Sequence, residues 1–228
     1  MEEFLKPTPW DKRTFNIDTY ELTSAHEDAL KASDEYEGHF TLKVDPLENP
    51  KNIIKHGFYY MDSLIEPVCR QQDFNLIERD QVELSQDYDK QKILSIAEEA
   101  FIHGRFHRDF NVPDNLADKR YMRWVEDLMS ERNIFSLTFN GKVAGFYGFK
   151  NDKVLLLGIK KEFQGKGLAK PFTSMGCQEQ FNNGYSTLHT SISAANVASL
   201  NLFQLLGFKL KKTVDVYHKL NGPPPRED

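Results

Sequence analysis

The sequence predicts a mixed α/β chain with a central, mostly antiparallel sheet flanked by helices. Three observations carry this. Apolar residues recur with strand spacing in some segments and helix spacing in others. Asn140-Gly141 joins two apolar runs as a hairpin turn. Val154 to Ile159 is almost continuously apolar, the pattern of a buried central strand.

Taken in order, His39 to Val44 reads as a strand, about Asn49 to His56 as a helix, and Gly57-Phe58 as helix stop and strand opening. The same order returns near the end. Thr187 to Ile192 reads as a strand, Asn196 to Leu206 as a helix, and Gly207-Phe208 as the stop. The chain therefore reads as carrying a degenerate N-terminal half-repeat over 1–72, a main domain over 73–220, and a loose tail over 221–228. Between the copies, Phe74 to Asp80 is a strand candidate. Asp89 to Phe101 is helical, with Ile93, Ile96, Ala97 and Ala100 on one stripe. Asn115 to Met129 is a second helix, with Tyr121, Trp124, Val125 and Leu128 on one face. Strands at Ile134 to Phe139, Val143 to Phe149 and Val154 to Ile159 precede a helix from Leu168 to Asn182.

Composition narrows the function. At 39% apolar and 28% charged residues the chain is globular rather than disordered. A formal net charge of -5 argues against nucleic acid as a partner. No stretch is apolar enough to span a bilayer, so no membrane partner is expected. The acidic opening MEEFLKPTPW lacks an apolar core, so no secretory signal is expected. Cys69 and Cys177 follow no metal or redox spacing and read as reduced thiols. The expected compartment is the cytoplasm, with no metal site; a homodimer is among the expected states.

The most informative segment is LLLGIKKEFQGKGLAKPFTSMG. A buried strand ends, a short turn follows, and a glycine-rich loop opens a helix. Gly165 and Gly167 free backbone N–H groups to face an anion at the helix N-terminus, and Lys166 and Lys170 add positive charge. The loop lacks the Lys-Ser/Thr of a Walker A motif and the third glycine of a dinucleotide fingerprint. Gln164-Gly165-Lys166-Gly167-Leu168-Ala169 resembles the Q-x-x-G-x-[GA] motif of the GCN5-related N-acetyltransferase (GNAT) superfamily. Asn196, Ala198, Leu200, Phe203 and Gly207-Phe208 resemble its second signature. The resemblance covers roughly Phe74 to Leu220 and implies the superfamily's fold, with acyl-CoA as cosubstrate.

By that resemblance, Gln164 to Lys170 hold the coenzyme's pyrophosphate, and the pantetheine arm enters a gap between the strands ending at Ile159 and Ile192. A peptide N–H near Gly158 or Ile159 meets the thioester oxygen. Asn196 contacts the arm, Phe203 packs near the sulfur, and Leu157 and Gly158 line the acyl group, Gly158 with room for more than acetyl. Many members carry Tyr where Phe203 stands, so the source of a proton for the leaving thiolate is open. Tyr217 is one candidate. His107, oriented by Asp109, is a candidate base; the alternative is that both only form hydrogen bonds.

The stretch from His103 to Arg123 holds Arg105, Arg108, Lys119, Arg120 and Arg123 against Asp109, Asp114 and Asp118, interleaved with Phe106, Phe110 and Tyr121. With Trp124 just beyond, this basic, aromatic patch suits an anionic, nucleotide-bearing ligand; the alternative is a solvated amphipathic helix with Trp124 in the core. The stretch resembles the superfamily branch of TDP-fucosamine acetyltransferase. That implies Arg105, Asp109, Arg120 and Tyr121 near a dTDP-linked amino-dideoxy sugar, an acetyl or short hydroxyacyl donor, and a role in surface polysaccharide biosynthesis. The alternatives are a GNAT enzyme for peptide α-amines, Lys or polyamines, and a non-catalytic acyl-CoA-binding module.

Overall fold

A computed structural model describes residues 4–101 and 104–226. The strands are β1 (Leu5–Pro7), β2 (Thr19–Leu22), β3 (Gly38–Val44), β4 (Tyr59–Arg70), β5 (Val82–Ser85), β6 (Ile134–Phe139), β7 (Lys142–Lys150), β8 (Lys153–Ile159), β9 (Thr187–His189), β10 (Ile192–Ser193) and β11 (Lys209–Asn221). The helices are α1 (Pro9–Phe15), α2 (Glu27–Glu35), α3 (Lys51–Lys55), α4 (Lys90–Ala100), α5 (Asp114–Ser130), α6 (Ala169–Asn182) and α7 (Val197–Leu205). No helix among the described residues is long and apolar enough to cross a membrane.

The chain forms two compact units that interleave in sequence, where the sequence suggests consecutive segments 1–72, 73–220 and 221–228. The first comprises Met1–Leu64, His103–Arg120 and Thr213–Asp228. Within it β1 pairs antiparallel with β2, β2 parallel with β3, and β3 antiparallel with the last part of β11. Phe40, Leu42, Leu30 and Ile53 are among its fully covered apolar residues, with Tyr217 packed beside them. A smaller apolar group gathers Phe15, Phe106, Val112, Leu116 and Ala117.

The second unit comprises Ile65–Ile102 and Tyr121–Lys212. β5, β6, β7 and β8 follow one another antiparallel, β8 meets β9 in parallel, and β9 pairs antiparallel with the end of β4. The hairpin at Asn140-Gly141 takes the left-handed conformation at both residues, φ 53° and 70°, which its turn type requires. Helix α6 packs on this sheet through Phe172, Cys177 and Phe181. Gly176 permits that approach, because a Cβ there would lie 2.5 Å from the Tyr147 ring. Asp89 starts α4 by accepting the Gln91 and Lys92 N–H groups, and Ile93, Ile96 and Ala97 form its buried stripe with Val125 and Leu128 of α5.

Two expected elements differ. Phe74 to Asp80 is not a strand. The segment is tied down irregularly, by Asn75 N–H to the Leu206 carbonyl and Ile77 N–H to Ser174 Oγ, and the strand starts at Val82. The expected strand Thr187 to Ile192 is broken into β9 and β10.

Candidate functional site

The site begins where β8 loses its neighbour. β8 and β9 share a single register pair, Lys153 with His189, so the rest of β8 has a free edge on that side. Lys160 N–H bonds to the Ala144 carbonyl on β7, and N–H direction alternates along a strand. Gly158 N–H is therefore directed at β7, while Leu157 and Ile159 N–H face the free edge. Of the two N–H groups expected to meet a thioester oxygen, only that of Ile159 faces this edge. A Cβ at Gly158 would lie 2.3 Å from Phe146, whose ring fills the space beside that glycine.

After Ile159 a 3-10 turn at Lys161–Phe163 leads into the loop. Gln164 Nε2 donates to the Ile159 carbonyl at 3.0 Å, fastening the loop to the strand end. Gly165 and Gly167 lie at φ 72° and 71°, and a Cβ at Gly165 would meet no atom within 4 Å, so the loop presents an open face. No side chain caps α6 at Leu168, leaving its first N–H groups to an external acceptor. Pro171 falls in that first turn, where no N–H is needed. The loop residues Gln164 to Gly167 and Lys170 are exposed, Leu168 is buried beneath them, and Ala169 is half-buried. Exposed backbone N–H groups at an uncapped helix start are of the type that receives phosphate-like anions.

Phe203 is buried edge-on against Phe208, ring centroids 4.9 Å apart. Asn196 is exposed and caps α7, its Oδ1 accepting Ser199 N–H at 3.1 Å. Both cysteines are free and buried, and burial pushes the Cys69 and Cys177 thiols up to about 11 and 12. Sequence reading missed Arg79, whose Nη1 donates to the Lys166 carbonyl at 2.7 Å.

In the first unit the expected acceptor residues separate. Asp109 does not orient His107, which pairs instead with Asp118 at 2.9 Å. The Asp109 carboxylate is buried and accepts from His218 Nδ1 (2.6 Å) and His39 Nε2 (3.0 Å) on one oxygen, and from Tyr59 Oη and Asn111 N–H on the other. Burial pushes its pKa up, but the His218 and His39 hydrogen bonds outweigh this and hold it well below the usual carboxylate range. Burial drives His218 down to about 3, so it stands neutral. The three donor atoms of His39, Asp109 and His218 lie within 4.8 Å of one another and are of a type that binds divalent metals. As arranged, the carboxylate's acceptor positions are taken by four hydrogen-bond donors.

Arg120 is also turned inward, in an ion pair with Asp11 at 2.6 Å and 4.3 Å above the Phe106 ring. Arg105 is half-buried, 4.9 Å from the same ring. Phe110 stands 78% exposed beside Tyr59. Tyr217 packs in the apolar cluster of this unit against Tyr60. In the second unit Tyr121 stacks on Phe101, centroids 5.2 Å apart.

These geometries define the fold of the GCN5-related N-acetyltransferases. A GCN5-related N-acetyltransferase from Sphaerobacter thermophilus superposes with a TM-score of 0.67 over 97% of this chain and 78% of its own, at 10% identity. No protein-family model matches the sequence. Among curated proteins, the chain is 21% identical over 136 residues to the spore coat polysaccharide biosynthesis protein SpsD of Bacillus subtilis, covering 57% of this chain and 47% of that one. It is 28% identical over 125 residues to the mycothiol acetyltransferase of Nocardiopsis dassonvillei, covering 49% and 36%. The chain thus spans less than half the length of these two relatives.

Proposed function

We propose that this chain is an acyl-CoA-dependent N-acyltransferase whose acceptor is the amine of a nucleotide-linked, dTDP-type amino sugar. The observation that carries the acyl-CoA reading is the free edge of β8 running into the Gln164–Ala169 loop at the uncapped start of α6. On this reading the pantetheine arm adds to the β8 edge like a further strand. The pyrophosphate takes the loop N–H groups. The neutral acceptor amine attacks the thioester carbonyl, the Ile159 N–H stabilises the oxyanion, the C–S bond breaks so that the sulfur leaves as thiolate, and the nitrogen gives up its proton to solvent as the amide forms.

The amino-sugar part rests on the Arg105 to Tyr121 stretch and on the similarity to a polysaccharide biosynthesis protein. The mycothiol acetyltransferase similarity, at comparable identity, favours a second reading, acetylation of a different small-molecule amine. The test is thiol release from acetyl-CoA with a panel of dTDP-amino sugars, polyamines and peptides. Turnover confined to the sugars supports the first reading. Turnover only with the other amines replaces it with the second, and no turnover with any amine removes the enzymatic assignment.

A further inference from the structure

Arg79 lies in the irregular segment before β5, outside every motif the loop suggests. Its position is nevertheless fixed. Asn75 N–H is held by the Leu206 carbonyl at the end of α7, and Ile77 N–H by Ser174 Oγ on α6. The segment carrying Arg79 is thus pinned to α6, the helix that the coenzyme loop opens, and to the end of α7. The guanidinium sits 4.8 Å above the Phe139 ring, which sets its plane, and Nη1 donates to the Lys166 carbonyl at 2.7 Å.

A peptide unit is planar and trans, so the Lys166 carbonyl and the Gly167 N–H point in opposite directions. Holding one fixes the other. Gly165 and Gly167 make this loop conformationally permissive, and an unpinned peptide between two glycines can rotate. The loop's own cation does not supply the restraint, because the Lys166 ammonium lies over the Phe163 ring at 5.2 Å. A charged donor on the carbonyl also strengthens the N–H at the far end of the same peptide.

We propose that Arg79 is a positioning residue for the coenzyme. It locks the Lys166–Gly167 peptide so that the Gly167 N–H is aimed into the anion cradle before the pyrophosphate arrives. The proposal rests on the reading of this loop as the coenzyme loop.

The experiment is calorimetry with coenzyme A on the full chain, with the melting temperature of the free protein measured beside it. Arg79→Ala is expected to weaken coenzyme affinity about 10- to 30-fold, at the lower end of the span of a lost charged hydrogen bond. The free protein's melting temperature should stay within about 2 °C, as for an exposed surface substitution. Arg79→Lys should recover most of the affinity. Unchanged affinity in Arg79→Ala overturns the proposal. So does a loss matched by a fall in the free protein's melting temperature, or no recovery with Lys. Gly167→Glu separates the two levels of the argument, since it puts a side chain and a negative charge into the cradle. If Gly167→Glu abolishes binding while Arg79→Ala does nothing, only the role of Arg79 fails. If Gly167→Glu binds coenzyme A like the wild type, the loop assignment itself fails.

Discussion

Gly57 and Gly207 allow a matched test of what the two helix stops require. Both follow a helix, both precede Phe, and both are left-handed, at φ 79° and 94°. Their surroundings differ. A Cβ at Gly57 would meet only the Lys219 side chain, at 4.0 Å, whereas a Cβ at Gly207 would lie 2.0 Å from the Asp73 carbonyl oxygen. Gly57→Ala therefore carries the left-handed penalty alone, about 1–2 kcal/mol. Gly207→Ala carries that penalty and an overpacking cost against backbone, which cannot swing away as a side chain can. The overpacking is worth about 1–3 kcal/mol, and the contact places it at the upper end. The expected losses are about 1–2 kcal/mol for Gly57→Ala and about 4–5 kcal/mol for Gly207→Ala. At ~2–4 °C per kcal/mol, only the second variant should melt more than ~8 °C early. Urea unfolding followed by circular dichroism and by tryptophan fluorescence measures both, and coincident transitions license the two-state treatment. Losses within 1 kcal/mol of each other would refute the close-approach argument.

Two further outcomes follow from the first unit. Under the proposed function, Arg105→Ala should raise KM for a dTDP-amino sugar by about 10- to 150-fold, the worth of a lost charged hydrogen bond, and leave KM for acyl-CoA nearly unchanged in a two-substrate kinetic study. His218 is neutral when folded, with its pKa lowered to about 3, but titrates near 6.5 when unfolded. Between those values the unfolded state binds the extra proton, so stability should fall on acidification by up to about 1.4 kcal/mol per pH unit. Depression of the Asp109 pKa adds a further loss as pH falls through the ordinary carboxylate range. His218→Asn keeps a donor for Asp109 and removes the titration. Its urea-unfolding free energy between pH 4.5 and 6.5 should be flatter than wild type, and an equal slope would count against the buried neutral imidazole.

The second unit was largely legible because its signals are local. The Asn140-Gly141 turn, the apolar β8 and the glycine loop each declare themselves within a few residues, and their elements fall within one or two residues of expectation. The first unit was less legible because its defining contacts join residues far apart in sequence. His39, Asp109 and His218 stand in three separate segments, and nothing in HGRFHRDF distinguishes an inward carboxylate from a ligand-facing one. The expected His107–Asp109 pair followed sequence proximity, and packing chose Asp118 one helix turn into α5 instead. Gly158 misled for a related reason. A glycine in a strand signals a close approach, but only the fold reveals that the approaching group is the Phe146 ring. Arg79 carried no signal, since its partner is a backbone carbonyl.

The remaining chemical question under the proposed function is where the leaving thiolate finds its proton. Phe203 has no hydroxyl, and its ring is buried edge-on to Phe208. Tyr217 is committed to the apolar cluster of the first unit, and burial raises its pKa. A thiol has an ordinary pKa of about 8.5, so thiolate can depart at neutral pH without prior protonation. The demand then falls on the oxyanion, for which a single positioned N–H donor is worth roughly 10²–10³-fold. A general acid would contribute roughly 10²–10⁴-fold if the reaction used one at this position. Phe203→Tyr is therefore expected to change kcat by less than about tenfold. The pH profile of kcat should rise with deprotonation of the acceptor amine and then stay level to about pH 9.5, after subtraction of uncatalysed thioester hydrolysis. A fall of kcat above pH 9, or a gain near a thousandfold on restoring the tyrosine, would show that a proton donor controls the step and that the oxyanion argument is insufficient.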